Sequence, residues 1–474
     1  MRVLRDSSGI VWSALNAAAA VMLPFLTFIY FARVAQPQLI GLVALCVSSA
    51  DVLKTLGAQG LYEALLQQPP DDRRSQETAL AVLIGAGVLL GVIYLALIGL
   101  FVSLHGQARP EMPALMALGA RIPFDLMTIQ PQARLARRLS YHRLALRTLF
   151  ANGGASVLGI TTSVLLTPLW GLAVYQIGLS VLLFVFTAFG GDLIARPRFH
   201  RDAYRQMARE ASWSTSVRFV AATVNNLDQI IVAWIAGSTS LAFFNLGKRI
   251  ETTCVSIANS FVVTMFQPQF AGDSDEPRFD ALRRCMLILT VICGVPVAFV
   301  LIKAHFLIRL MFGAKWLPAQ TVVRLLAVSG LVRAVGYVPG ALMSVSARNH
   351  KLFVVSAVSA AGTGLAALAL TPSGIAACAA GLVVKNALVL VLIAYLLRDI
   401  VPRAMQAYGQ AFVLPASVII SGVLLVHWVG IGWVPAGSTI GQVALLAVGG
   451  LIGVGASLAL AFAGLGRREA AVGD

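Results

Sequence analysis

Charge is scarce in this chain: Asp, Glu, Lys and Arg make up 12% of its 474 residues, against about 25% in an ordinary soluble domain. With 58% of the residues hydrophobic and a mean hydropathy of +0.83, water is excluded as the main solvent. Alternating apolar–polar stretches of strand period are also few, which excludes an outer-membrane barrel. Only five cysteines occur (Cys46, Cys254, Cys285, Cys293 and Cys378). They lie in or beside apolar segments without metal-type spacing, and an odd number there excludes a disulfide framework. A phosphate-cradling GxxxxGK[ST] loop is missing, so ATP is not expected as the direct energy source. His105, His142, His200, His305, His350 and His427 stand singly, with no HExxH and no cysteine partner, so no metal site is expected. The longest outer connection, about Lys303–Pro318, holds no carboxylate to act as acid or base. An enzyme is not expected.

What the chain does have is a succession of apolar runs near the length that crosses about 30 Å of hydrocarbon at 1.5 Å per residue. They predict an all-α membrane protein of about fourteen transmembrane helices, over 9–33, 38–57, 77–104, 112–133, 144–166, 169–192, 212–236, 240–265, 282–302, 319–345, 352–370, 374–397, 408–429 and 439–464. The first run has no small-residue cleavage site behind it and is expected to be retained. The formal net charge is +16, and its distribution argues for topology rather than nucleic-acid binding. One set of connections holds Arg2, Arg5, Arg73, Arg74, Arg134, Arg137, Arg138, Arg143, Arg147, Arg196, Arg198, Arg201, Arg205, Arg209, Arg348, Lys351 and Arg398 among others, whereas the opposite set holds only Arg33, Arg109, Lys303, Arg309 and Lys315. The positive-inside rule then places both termini in the cytoplasm of a cell with this chain in its inner membrane.

The longest inner connection, residues 193–211, separates an expected N-lobe (1–192) from an expected C-lobe (212–400), with two further helices and a short tail over 401–474. It reads as a basic, partly amphipathic segment along an anionic leaflet, or as a solvated linker. Trp12-Ser13 and Trp213-Ser214 open the first and seventh spans, a faint repeat consistent with two pseudo-symmetric six-helix halves of like orientation around a central cavity.

Ionisable residues inside membrane helices are costly and so mark cavities or partners. They gather in a few spans: Asp51 and Lys54; Arg121 and Asp125; Arg218, Asn225, Asn226 and Asp228; Lys248, Arg249 and Glu251; Arg324 and Arg333; and Lys385. Three stripes follow helical spacing: Arg121, Asp125, Thr128, Gln132; Arg218, Ala222, Asn225, Gln229; and Lys248, Thr252, Ser256, Asn259. Spans three, five, eleven, thirteen and fourteen carry almost none and are expected to face lipid. Asp51 with Lys54, and Arg121 with Asp125, are spaced for ion pairs within a helix, and a structural role and a substrate contact both stand for these four. Arg218, Lys248, Arg249 and Arg333 outnumber Asp228 and Glu251, and a cation surplus in a wet cavity is what a diphosphate group needs. Arg324 and Arg333 are nine residues apart, about half a turn out of phase, so both cannot face inward, and Arg333, nearer the helix centre, is preferred for the cavity. Asp228, with Asn225, Glu251, Asp51 and Asp125, could instead serve ion coupling.

Four segments resemble the Wzx-type polysaccharide flippases of the multidrug/oligosaccharidyl-lipid/polysaccharide exporter superfamily. They are Leu56–Gln67 (LGAQGLYEALLQ), Gln130–Leu146 (QPQARLARRLSYHRLAL), Asn225–Glu251 (NNLDQIIVAWIAGSTSLAFFNLGKRIE) and Met311–Arg348 (MFGAKWLPAQTVVRLLAVSG followed by a small-residue-rich helix). Tyr141 stands where the family has Phe, and Phe243-Phe244 where it has Gly-x-Tyr. The resemblance implies two six-helix lobes working by alternating access, with a lipid-linked oligosaccharide on an undecaprenyl-diphosphate-type carrier as substrate. It further implies a monomer working beside a polysaccharide polymerase and chain-length machinery; no cofactor is expected, and a proton gradient, a sodium gradient and the membrane potential all stand as driving force. A multidrug or cation exporter and a peptidoglycan-precursor flippase of the same superfamily are the alternatives, and a membrane glycosyltransferase or polymerase the alternative from another class.

Overall fold

A computed structural model of the chain describes residues 19–67, 72–105, 111–138, 141–188, 196–262, 275–346, 349–401 and 404–421. Among them every regular element is helical, as an apolar solvent demands, because a helix satisfies its own backbone N–H and C=O groups. In chain order these are α1 (Ala19–Val34), α2 (Pro37–Gln67), α3 (Arg73–His105), α4 (Met112–Ala117), α5 (Arg121–Met127), α6 (Ile129–Arg137), α7 (Tyr141–Leu165), α8 (Pro168–Thr187), α9 (Arg201–Phe261), α10 (Asp275–Met311), α11 (Gln320–Val345), α12 (Asn349–Leu370), α13 (Ile375–Leu396) and α14 (Ala404–Tyr408). A π-helical turn, Gly409–Val413, extends α14. Ten helical stretches among the described residues are long and apolar enough to cross a membrane, and the protein is a multi-pass membrane protein. The start of the first expected span (9–18), Trp12-Ser13 and the last expected span (439–464) lie outside the described residues.

Several expected boundaries move. Of the inner connection, residues 196–200 are irregular; from Arg201 it is helix, continuous with the seventh and eighth spans through Phe261. Their separation survives as a break at Gly237, whose φ of 82° lies in the left-handed region that glycine enters without steric cost. The fourth span is not one rod: α4, a 3-10 turn at Leu118–Ala120, α5 and α6 are stacked end to end. The expected outer loop at Lys303–Pro318 is mostly ordered. α10 continues to Met311 across a non-helical Lys303, Gly313 at φ 96° stops it, and a 3-10 turn (Ala314–Ala319) buries Trp316. Sequence periodicity places the apolar stretch but not its continuation into a polar turn that still has carbonyls to satisfy.

The chain divides into two compact units: Met1–Asn245 with Ala360–Ile375, and Leu246–Ser359 with Ala376–Asp474. In the first, Leu115, Leu118, Ile122 and Leu126 are fully buried, and Tyr94 donates its hydroxyl to the Leu115 carbonyl at 2.9 Å. Helices α7 and α8 pack through small residues. A Cβ on Gly159 would meet that of Tyr175 at 2.6 Å, and one on Gly171 that of Ser163 at 2.5 Å. In lipid, where no hydrophobic force pulls helices together, such close backbone approach is what holds a pair. In the second unit Leu282, Met286, Leu289, Ala334, Val338 and Leu342 form the core, joined by Ala407 and Ala411 of the α14 region. The outward faces of α3, α7 and α12 carry Leu97, Val164, Leu165 and Leu365, in keeping with lipid as their neighbour.

Candidate functional site

Two polar clusters are built inside the apolar helices, one in each unit. In the first unit α2 brings Asp51 and Lys54, and α5 brings Arg121 and Asp125. The expected pairs within each helix are present, Lys54–Asp51 at 2.8 Å and Arg121–Asp125 at 3.3 Å. The structure adds two across the helices, Arg121–Asp51 at 3.1 Å and Lys54–Asp125 at 3.4 Å. The result is a closed quartet of two cations and two carboxylates, in which each charge meets both opposite charges. Low dielectric strengthens these attractions and raises the cost of breaking any of them. Further along the stripe, Thr128 turns its hydroxyl back onto the Phe124 carbonyl at 2.7 Å.

The second cluster centres on Glu251 of α9, whose side chain is 1% exposed. Its Oε2 lies 3.2 Å from Lys248 Nζ, one helical turn back, and its Oε1 accepts from Arg333 Nη1 of α11 at 2.8 Å. One carboxylate thus serves two cations. Ser329, one turn before Arg333, also donates to Glu251 Oε1 at 3.1 Å and accepts from Asn386 Nδ2 of α13 at 2.7 Å. Lys385 donates to Ser359 of α12 at 3.3 Å. The chain of contacts therefore ties α9, α11, α12 and α13 together; apart from the neutral Asn386–Ser329 bond these are charge-assisted, about twice as strong as neutral ones.

This network opens on a cavity of about 130 Å³ lined by Arg333, Ser359, Asn386 and Tyr337 on its polar side and by Val332, Val389, Leu390 and Ile393 on the other. Since a water takes about 30 Å³ of liquid volume, there is room for a few waters or one compact polar group. The approach of α9 to α11 depends on glycine: a Cβ on Gly330 would stand 2.9 Å from Glu251 Cα, and one on Gly247 2.9 Å from a Leu326 methyl. This crossing brings Glu251 and Arg333 to each other.

Of the remaining sequence-expected residues, Asp228 is fully buried, and its Oδ1 lies 2.9 Å from the Gln229 backbone N–H; Gln229 in turn accepts from Asn245 Nδ2 at 2.7 Å. Arg249 is partly buried two residues from Glu251, and its carbonyl accepts from Thr252 and Thr253 at 3.0 and 2.8 Å. Arg218 and Asn225 lie on α9, but their side chains are outside the described residues. Sequence reasoning passed over Ser329, Asn386 and Ser359. Spacing held a signal for one of them, since Ser329 is four residues before Arg333 and so shares its face. Asn386, a buried amide next to Lys385 on a largely apolar helix, was legible only as an unexplained polar group needing a partner.

A family model described as polysaccharide biosynthesis protein matches residues 30–321. Among curated proteins the chain is 23% identical to the lipopolysaccharide biosynthesis protein WzxC of Escherichia coli (strain K12), covering 72% of this chain and 70% of that one. It is also 23% identical to the succinoglycan biosynthesis transport protein ExoT of Rhizobium meliloti (strain 1021), covering 67% and 65%. Among solved structures it superposes on the lipid II flippase MurJ in an inward closed conformation with a TM-score of 0.74 and 11% identity, covering 98% of this chain and 99% of that one. An inward-facing multidrug resistance MATE family transporter superposes with a TM-score of 0.59 and 14% identity, over 84% and 99%. At such identities the superpositions speak for the fold.

Proposed function

The chain belongs to the polysaccharide biosynthesis protein family whose model spans most of it, and we propose that it carries a lipid-linked oligosaccharide, on a diphosphate carrier of undecaprenyl type, from the cytoplasmic to the periplasmic leaflet of the inner membrane for surface polysaccharide assembly. The single observation that carries this reading is the Arg333 guanidinium, which reaches the Glu251 carboxylate at 2.8 Å and also lines the cavity. A planar, permanently charged guanidinium matches a phosphate oxygen pair in the same way that it matches a carboxylate. An arriving diphosphate would share Arg333 and Lys248 with Glu251 rather than bring new charge into lipid unpaired. The sugars and diphosphate need a polar path, and the polyprenyl tail needs only lipid. The names of the curated relatives, a lipopolysaccharide biosynthesis protein and a succinoglycan transport protein, point to the same substrate class.

Movement by alternating access, coupled to a proton or sodium gradient through Glu251 or Asp228, completes the proposal. Lys248 and Arg249 are assigned with Arg333 to the diphosphate, and the quartet of Asp51, Lys54, Arg121 and Asp125 to holding α2 against α5. The test is surface polysaccharide output against membrane abundance. Arg333→Ala lowers output per molecule of inserted protein about tenfold, and Arg333→Lys, which keeps the charge and loses the fork, restores part of it. Normal output from Arg333→Ala, and again from the Lys248→Ala/Arg333→Ala pair, counts decisively against the role.

A further inference from the structure

We propose that the exposed face of residues 196–205 is a docking surface for the headgroups of anionic phospholipids, independent of what the protein transports. Arg196, Arg198, Arg201 and Arg205 are all exposed in this stretch, against the carboxylate of Asp202. Between them stand two aromatic side chains open to the surroundings, Phe199 at 58% and Tyr204 at 39% exposure, with their ring centroids 5.5 Å apart.

The inner side of the same stretch is fastened to the helix ends. His200 donates its backbone N–H to Thr78 Oγ1 at 3.2 Å, and its Nε2 lies 3.5 Å from Glu77 Oε2. Met207 is fully buried against Leu61, Leu65, Ala79 and Ala133. On the first turns of α9, Arg201, Tyr204 and Arg205 follow i, i+3, i+4 spacing on the outward side, while Ala203 and Met207, four apart, point the other way. The segment is therefore amphipathic and cannot roll: its apolar side is already occupied by the ends of α2, α3 and α6.

The outer side presents four exposed guanidiniums and an aromatic pair against the one carboxylate of Asp202 in the stretch, and its position at the ends of membrane-crossing helices selects the occupant. Aromatic rings settle at headgroup level, guanidiniums bind phosphate in a two-pronged fashion, and an anionic leaflet supplies phosphate at that depth. A lipid held here would bear on the first turn of α3 through His200 and Glu77.

The full chain is purified into nanodiscs of phosphatidylcholine alone or with added phosphatidylglycerol, and retained lipid is read by native mass spectrometry. The wild type retains phosphatidylglycerol preferentially, and high salt removes the preference by screening. Replacing Arg196, Arg198, Arg201 and Arg205 by Gln weakens phosphatidylglycerol retention by roughly fivefold for each arginine lost. Replacing all four by Lys keeps most of the preference. Phe199→Ser with Tyr204→Ser weakens both lipids alike. A wild type without preference, a preference that salt leaves intact, or one that survives the four Gln substitutions overturns the assignment. Should the four Gln substitutions block insertion, Arg198→Glu alone, expected to lower retention more than Arg198→Gln, decides between the same outcomes.

Discussion

Glu251 holds the positions of two cations, and its replacement shows how a buried carboxylate differs from a surface one. Taking it away leaves Lys248 and Arg333 facing one another with their shared counter-charge gone and Ser329 short of an acceptor. Removing one partner of a buried ion pair costs roughly 3–5 kcal/mol, so Glu251→Ala should lower the thermal midpoint of the detergent-solubilised protein sharply. Glu251→Gln keeps an acceptor for Arg333 and Ser329 and should fall between Ala and the wild type; a Gln variant as unstable as Ala would mean that the charge alone matters. Much of this site was legible in the sequence. Lys248 and Glu251 are three residues apart on one helix, and Arg333 sits near the middle of its span, where a lone arginine needs a partner. Which partner it takes was not legible, because that depends on how α9 is rotated against α11. The same limit applies to Asp51, Lys54, Arg121 and Asp125: the pairs within a helix follow from spacing, and the cross-pairs that close the quartet do not.

At the scale of the element, the helices meet where side chains are missing. Gly330 faces the Glu251 backbone, Gly159 and Gly171 face Tyr175 and Ser163, and a Cβ on Gly41 would collide with the Ser238 carbonyl. Each crossing converts small residues into close backbone approach, and at Gly330 that approach sets the reach of Arg333 to Glu251. Gly330→Val should therefore separate α9 from α11 and cost roughly 1–3 kcal/mol through overpacking, read as a lower thermal midpoint. The same substitution at Gly85 or Gly99 of α3, where a Cβ would meet nothing within 4 Å, should leave the midpoint nearly unchanged. Equal losses at Gly330 and Gly99 would show that helix propensity, and not the crossing, governs. Hydropathy located these helices well but could not tell a glycine at a crossing from one facing lipid, since both sit in equally apolar runs. Nor could it show the breaks at Leu118–Ala120, Gly237 and Lys303, because the apolar pattern runs through them.

For the whole molecule, the burial of all five cysteines turns a liability into an assay of orientation. The proposed orientation, drawn from the Lys and Arg asymmetry, has the connection before α9 in the cytoplasm and the turn between α12 and α13 in the periplasm. With native thiols shielded from reagent in the folded protein, a single added cysteine reports its own side of the membrane without a cysteine-free background. Asp202 and Ser373 suit the purpose, being exposed and short, the first at the start of α9 and the second in the 3-10 turn Thr371–Ser373. An impermeant maleimide added to intact cells should label Ser373→Cys and spare Asp202→Cys, while permeabilised cells show both labelled and the wild type unlabelled until denatured. The opposite pattern would invert the direction of every step proposed above, because the same cations would then meet the substrate from the other leaflet. Labelling of the wild type without denaturant would instead show that the packing around Cys46, Cys254, Cys285, Cys293 or Cys378 opens during the working cycle.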